Sequence, residues 1–204
     1  MKRFALPAII VFGLAFLVYR SVTTGPDAGA YAAEINQYRE ERLKYFRNDP
    51  GSPFRGQEDA IDRLDHYPPD LAYKVTAKLE PVKEKKVRLL TTSTGQEERY
   101  LDYAWAVFEI DEKEQRLLIL EIMDMGPNRG KLFLAFADET SARETYGGGR
   151  YLDLKKVPGA TSLELDFNKA YNPYCAYNED YSCPLPPSEN VLAVGIPAGE
   201  KNLR

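Results

Sequence analysis

From Tyr73 onward the chain is a succession of short apolar or alternating runs with hairpin turns and no helical pattern between them, which implies a mostly antiparallel sheet. Candidate strands cover residues 73–79, 87–92, 98–110, 115–123, 132–137, 163–168 and 191–196, with hairpin connections at 93–96 and 111–114. Leu117, Leu118, Ile119, Leu120 and Ile122 are nearly contiguous, as in a central strand covered on both faces. The expected class is mostly β with N-terminal helices (α+β), its antiparallel sheet curled into a barrel or sandwich.

Ahead of the strands, Tyr31, Ile35, Tyr38, Leu43 and Phe46 recur at near-helical spacing among charged residues, predicting an amphipathic helix of about four turns. Asn48-Asp49-Pro50-Gly51-Ser52-Pro53 ends it, and a second short helical segment is expected over 57–64. At the extreme N-terminus, Lys2-Arg3 precede an apolar run from Phe4 to Tyr19, followed by Arg20. Such a run directs export, so residues 1–20 are read as a signal anchor or signal peptide, 21–30 as a linker and 31–204 as one domain. Ala28-Gly29-Ala30 has the small-x-small form of a cleavage site but lies far beyond the run. The favoured reading is therefore an uncleaved, single-pass anchor in the cell membrane, with the domain extracytoplasmic; a cleaved chain would be secreted.

The chemically dense part of the chain is residues 163–190, LELDFNKAYNPYCAYNEDYSCPLPPSEN. Leu163, Leu165 and Phe167 alternate with polar residues as in a strand, and Asn172-Pro173 then breaks the ladder. Tyr171, Tyr174, Tyr177 and Tyr181 give the following loop apolar mass, and Cys175 and Cys183 can staple it as a disulfide in an oxidising compartment. Just before this stretch, Tyr146-Gly147-Gly148-Gly149-Arg150-Tyr151 is either a structural turn or an anion-binding nest with Arg150 as its clamp. Asp138, Glu144, Asp166 and Glu189 could converge for acid–base work, or form an ion-pair network in which Arg150 meets Asp166 or Glu144.

Composition removes several function classes. With 27 basic and 31 acidic residues, a net charge of −4 does not suit nucleic acid as a partner. The single histidine, His66, has no second ligand nearby in sequence, and no GxSxG or P-loop pattern is present. No metal or cofactor is implied.

The runs TSARETYGGGRYL, LELDFNKAYNPYCAYNEDYSCPLPPSENVL and IPAGEK, with YREERLKYFRNDPGSPF upstream, resemble the bacterial and archaeal DUF1684 family over most of the chain after residue 31. Two departures stand out: Thr140-Ser141-Ala142 replaces the family's usual TSG, and residues 61–67 diverge from its FxGLxYF pattern. The resemblance implies a shared fold and polar cluster, and no activity. The candidate ligand-binding residues are Arg150, Asp166, Asn168, Tyr171, Asn172, Glu189 and Asn190. The leading expectation is a noncatalytic domain that binds a small ligand or protein partner at 146–150 and 166–190. The alternatives are a hydrolase using Asp166 or Glu189 as base with Arg150 as anion clamp, and a motif that only latches the fold.

Overall fold

The computed structural model describes residues 27–123 and 126–203. Helix α1 (Ala28–Asn48) is capped by Asp27, whose carboxylate accepts the Gly29 N–H at 2.9 Å. The helix therefore begins inside the segment expected to be linker. Tyr31, Ile35 and Phe46 face inward, and the helix ends where Ser52 Oγ donates to the Phe46 carbonyl. Residues 1–20 lie outside the described part of the chain, and so does the anchor expected there. Among the described residues no helix is long and apolar enough to cross a membrane.

The core of the molecule is one antiparallel seven-stranded sheet, curled into a half-barrel. Its strands are β1 (Lys74–Pro81), β2 (Val87–Thr91), β3 (Glu97–Ile110), β4 (Lys113–Ile122), β5 (Leu132–Phe136), β6 (Arg150–Leu154) and β7 (Ser162–Asp166). The order across the sheet is β6-β5-β4-β3-β1-β7, with β2 also paired to β3. Strand β3 is long enough to take β2 along its first half and β1 along its second. A register shift between Asp102 and Ala104 marks the change. At the β3–β4 hairpin Asp111 and Glu112 both have positive φ, 52° and 60°, which matches the twist of the strands they join.

β4 is covered on both faces, as its sequence predicts. Leu117 and Ile119 join the main core with Phe108, Phe136, Leu165 and Phe167, while Leu118 and Leu120 pack on the other side with Leu90 and Tyr100. A third cluster, Phe46, Phe54, Ala60, Ile61 and Tyr177, ties α1 and a 3-10 helix (Glu58–Arg63) to the irregular loop beyond β7.

Two elements differ from expectation. Residues 191–196 form no strand: they run beside the end of β5 through a single parallel bridge, Ala137 with Val191, and beyond it the carbonyls of Ile196 and Ala198 accept from Arg150. Conversely, Arg150 opens strand β6, which pairs with β5 from Phe136 back to Leu132. Gly149 makes that entry possible. Its φ is +83°, and a Cβ there would lie 2.6 Å from the Phe136 carbonyl oxygen and 2.5 Å from Pro186.

Ala142 adopts the left-handed conformation, φ 62°, at the turn where the family resemblance leads glycine to be expected. Its N–H is kept on the Thr145 carbonyl at 3.0 Å, so the turn persists at the expense of strain. Ala142→Gly is expected to raise stability by roughly 1 kcal/mol, measured by urea denaturation. A loss of stability would show that the strain is relieved elsewhere.

Candidate functional site

The residues singled out in the sequence do not share one cavity. Most of them sit in separate groups held by their own hydrogen bonds, and Tyr171 lines a cleft. Arg150 is fully buried, and its partner is Asp138, at 2.8 Å, rather than Asp166 or Glu144. The guanidinium also donates to the carbonyls of Ile196 and Ala198, while Asp138 accepts from Thr140 N–H, Thr140 Oγ and Ile196 N–H. The glycine run is thus a turn that delivers Arg150 into the core, and Arg150 is not available as an anion clamp. Glu144 instead accepts from the Tyr67 hydroxyl at 3.0 Å.

Asp166 and Asn168 brace the end of β7. Asp166 accepts from Tyr31 Oη at 2.7 Å, and burial together with that carboxylate raises the Tyr31 pKa. Asn168 holds both the N–H and the carbonyl of Asp70, fixing the entry to β1. Glu189 pairs with Arg88 at 2.6 Å, and Arg88 also holds Asp102. Every carboxylate of the expected acid–base set is therefore paired. Asn190 lies in the sheet itself: its amide accepts from Leu118 N–H and donates to the carbonyls of Leu118 and Ala135. It fills the gap where β4 and β5 part after only two paired residues.

A further group centres on Glu200, which was not among the candidate residues although it ends the motif AGE. It is fully buried, accepting from Tyr177 Oη at 2.5 Å and from Asn172 Nδ2 at 2.9 Å. Burial raises its pKa to about 7 against the hydrogen bonds from Tyr177 and Asn172 and the charge of Arg42. The folded protein holds this proton to about pH 7 whereas the unfolded chain releases it near 4.5, so Glu200's contribution to stability is full below 4.5 and is lost as pH rises to about 7. His66, bridged to Glu200 through the backbone, acts oppositely: burial lowers its pKa to about 4, and its contribution grows from about pH 4 to 6.5. The stability of the native protein minus that of Glu200→Gln is expected to fall between pH 4.5 and 7 by on the order of 3 kcal/mol. Urea denaturation across that range tests it, and a flat difference would place the Glu200 pKa near its ordinary value.

Cys175 and Cys183 are both free, correcting the expected disulfide. The Cys175 N–H donates to Cys183 Sγ at 3.2 Å, so the two ends of the loop meet without a covalent bond. The backbone does the stapling: Cys183 is clamped to the β2–β3 turn by Ser93 N–H to its carbonyl and by its own N–H to Ser93 Oγ.

Among the openings at the surface, two border the strands that carry these groups. One, of about 400 Å³, is the seam where β6 and β7 fail to close the barrel, between Leu79, Tyr103, Leu152 and Leu163, with Asp166 and Lys169 at its rim. The larger, about 1080 Å³, lies across the outer ends of β3–β6 and is walled by the loop at Tyr171, Tyr174 and Tyr181–Pro184. Among the described residues it gathers Arg42, Arg129, Lys131, Lys155 and Lys156 against Glu98 and Asp153. Arg42 lies 4.0 Å over the Tyr171 ring, and the Tyr171 hydroxyl holds Asp153 at 2.7 Å. Of the candidate residues only Tyr171 lines this cleft. Its basic side chains come from α1, the segment after β6 and the β4–β5 connection, too far apart in sequence to be seen as a cluster.

A solution NMR structure of an uncharacterized protein from Haloarcula marismortui is 31% identical to the chain, covers 85% of it and 95% of its own length, and superposes with a TM-score of 0.64. No curated protein matches the chain. The model of the family described as "Protein of unknown function (DUF1684)" matches residues 59–201, from the 3-10 helix to the buried Glu200, and the chain belongs to that family.

Proposed function

We propose that the domain is a binding module for a small, planar, anionic ligand, taken up in the 1080 Å³ cleft beside Tyr171. The observation that carries this reading is the charge contrast: in a chain of net charge −4, the described residues that line this cleft include five basic side chains and two acidic ones. Phe133, Tyr151, Tyr171 and Tyr174 add ring surface, so a ligand with a flat body and a carboxylate or phosphate meets both stacking faces and cations. The reading keeps the loop at 171–184 as binding surface and gives up Arg150, which is enclosed. Residues 1–20 remain an export signal or anchor in this proposal, with the domain on the extracytoplasmic side. Recovery of the full chain in the cytoplasmic fraction of its host would overturn that part.

Binding is tested by calorimetry with salicylate, 4-nitrophenyl phosphate and adenosine monophosphate beside their uncharged counterparts. The anions are expected to bind saturably, more weakly at high salt. Lys155→Glu combined with Lys156→Glu is expected to cut affinity about tenfold or more. Lys156 pairs with Glu121 at the surface, so the double variant leaves the core intact. Equal affinity for charged and uncharged probes, or no effect of the charge reversal, would overturn the proposal.

A further inference from the structure

We propose that Cys175 and Cys183 form a peroxide-reactive dithiol, with Cys175 as the attacking sulfur and Cys183 as the resolving one. The inference does not depend on the ligand reading, although Cys183 lies on the wall of the same cleft. Three geometric facts support it. The loop brings the two cysteines, eight positions apart in sequence, into direct contact, with Cys175 N–H donating to Cys183 Sγ at 3.2 Å. They differ in access, Cys175 being partly exposed and Cys183 buried. And the Tyr146 hydroxyl approaches Cys175 Sγ at 3.9 Å, placing a donor beside the sulfur that would carry negative charge.

The electrostatics agree with this division of roles. The Cys183 thiol first, then the hydroxyls of Ser93 and Tyr146, hold the Cys175 pKa down to about 6 against the burial that pushes it up. Cys183 is pushed up by its neighbour and by burial and stays a thiol. Tyr146, raised to about 12, remains a neutral donor. A buried, isolated cysteine would be inert; a partly exposed thiolate beside a second thiol is the arrangement found in redox-active pairs.

In the first step the Cys175 thiolate attacks one peroxide oxygen. An S–O bond forms as the O–O bond breaks, Cys175 is oxidised to sulfenic acid, and the peroxide is reduced to hydroxide, or to alkoxide from an alkyl hydroperoxide, which takes a proton from solvent. In the second step Cys183 sulfur attacks Cys175 sulfur. The S–S bond forms as the S–O bond breaks, and the Cys183 proton leaves with the departing oxygen as water. An external dithiol returns the pair to the reduced form by exchange.

The experiment treats the full, reduced chain with equimolar hydrogen peroxide and then with a maleimide, and reads each cysteine by peptide mass. In the native protein both thiols are expected to disappear together into an intramolecular disulfide that dithiothreitol reverses. Cys183→Ser should stop at a Cys175 sulfenic acid that dimedone traps, and Cys175→Ser should leave Cys183 unoxidised. Limiting iodoacetamide on the native protein at neutral pH supplies a test that needs no variant: Cys175 is expected to be labelled at least tenfold faster than Cys183. Faster labelling of Cys183, oxidation no quicker than that of free cysteine, or disulfides only between chains would each overturn the proposal.

Discussion

Replacing Arg150 with methionine is expected to cost the domain about 4 kcal/mol or more, lowering its melting temperature by roughly 10 °C. The reason is what remains behind. Asp138 would keep a fully buried carboxylate without its counter-charge, and the Ile196 and Ala198 carbonyls would lose the donor that a neighbouring strand would otherwise provide. Arg150→Lys keeps the charge but not the fork that reaches carboxylate and carbonyls together, so it should recover only part of the loss. Removing both charges, with Arg150→Met and Asp138→Leu, should be less damaging than the sum of the single changes. Thermal unfolding followed by circular dichroism measures all four proteins. A loss below about 1 kcal/mol for Arg150→Met would mean that the 196–198 segment is held by packing alone.

Asn190→Leu carries the second large effect, about 2–4 kcal/mol, although the two side chains are similar in size. Its amide completes the sheet where β4 and β5 diverge, and leucine would leave Leu118 N–H and the carbonyls of Leu118 and Ala135 buried without partners. Asn190→Asp should be no better, because a carboxylate can accept from Leu118 N–H but cannot donate to the two carbonyls. The local signature is hydrogen exchange: the Leu118 amide should exchange much faster in both variants while amides in β1 follow global stability. Unchanged protection at Leu118 would show that the strands close up without the side chain.

These two residues also show where the sequence stops being legible. The β runs, the hairpins and the doubly covered β4 could be read because alternation and turn chemistry are local properties, encoded within a few residues of where they act. The sequence offered Arg150 as an anion clamp or as a partner of Asp166 or Glu144, whereas it points inward to Asp138 and takes the carbonyls of a segment more than forty residues later, where a strand was expected. Periodicity carries no information about which partner a buried charge will find. Likewise Glu200 was visible as part of a motif, but its proton affinity depends on Tyr177, Asn172 and Arg42 closing around it, which is a property of the packed core.

The sequence by itself determined a β-rich domain with a long leading helix, the family it belongs to, and the polar residues clustered in its most distinctive stretch. Tertiary structure alone decided that most of those residues point into separate hydrogen-bonded networks while Tyr171 lines a cleft, that the two cysteines meet without a covalent bond, and that cations distant in sequence share that cleft. Side-chain spacing fixes secondary structure through short-range sterics and hydrogen bonding. Which charges pair and which stay open depends on long-range closure of the curled sheet, where burial makes the cost of an unpaired group large enough to select its partner.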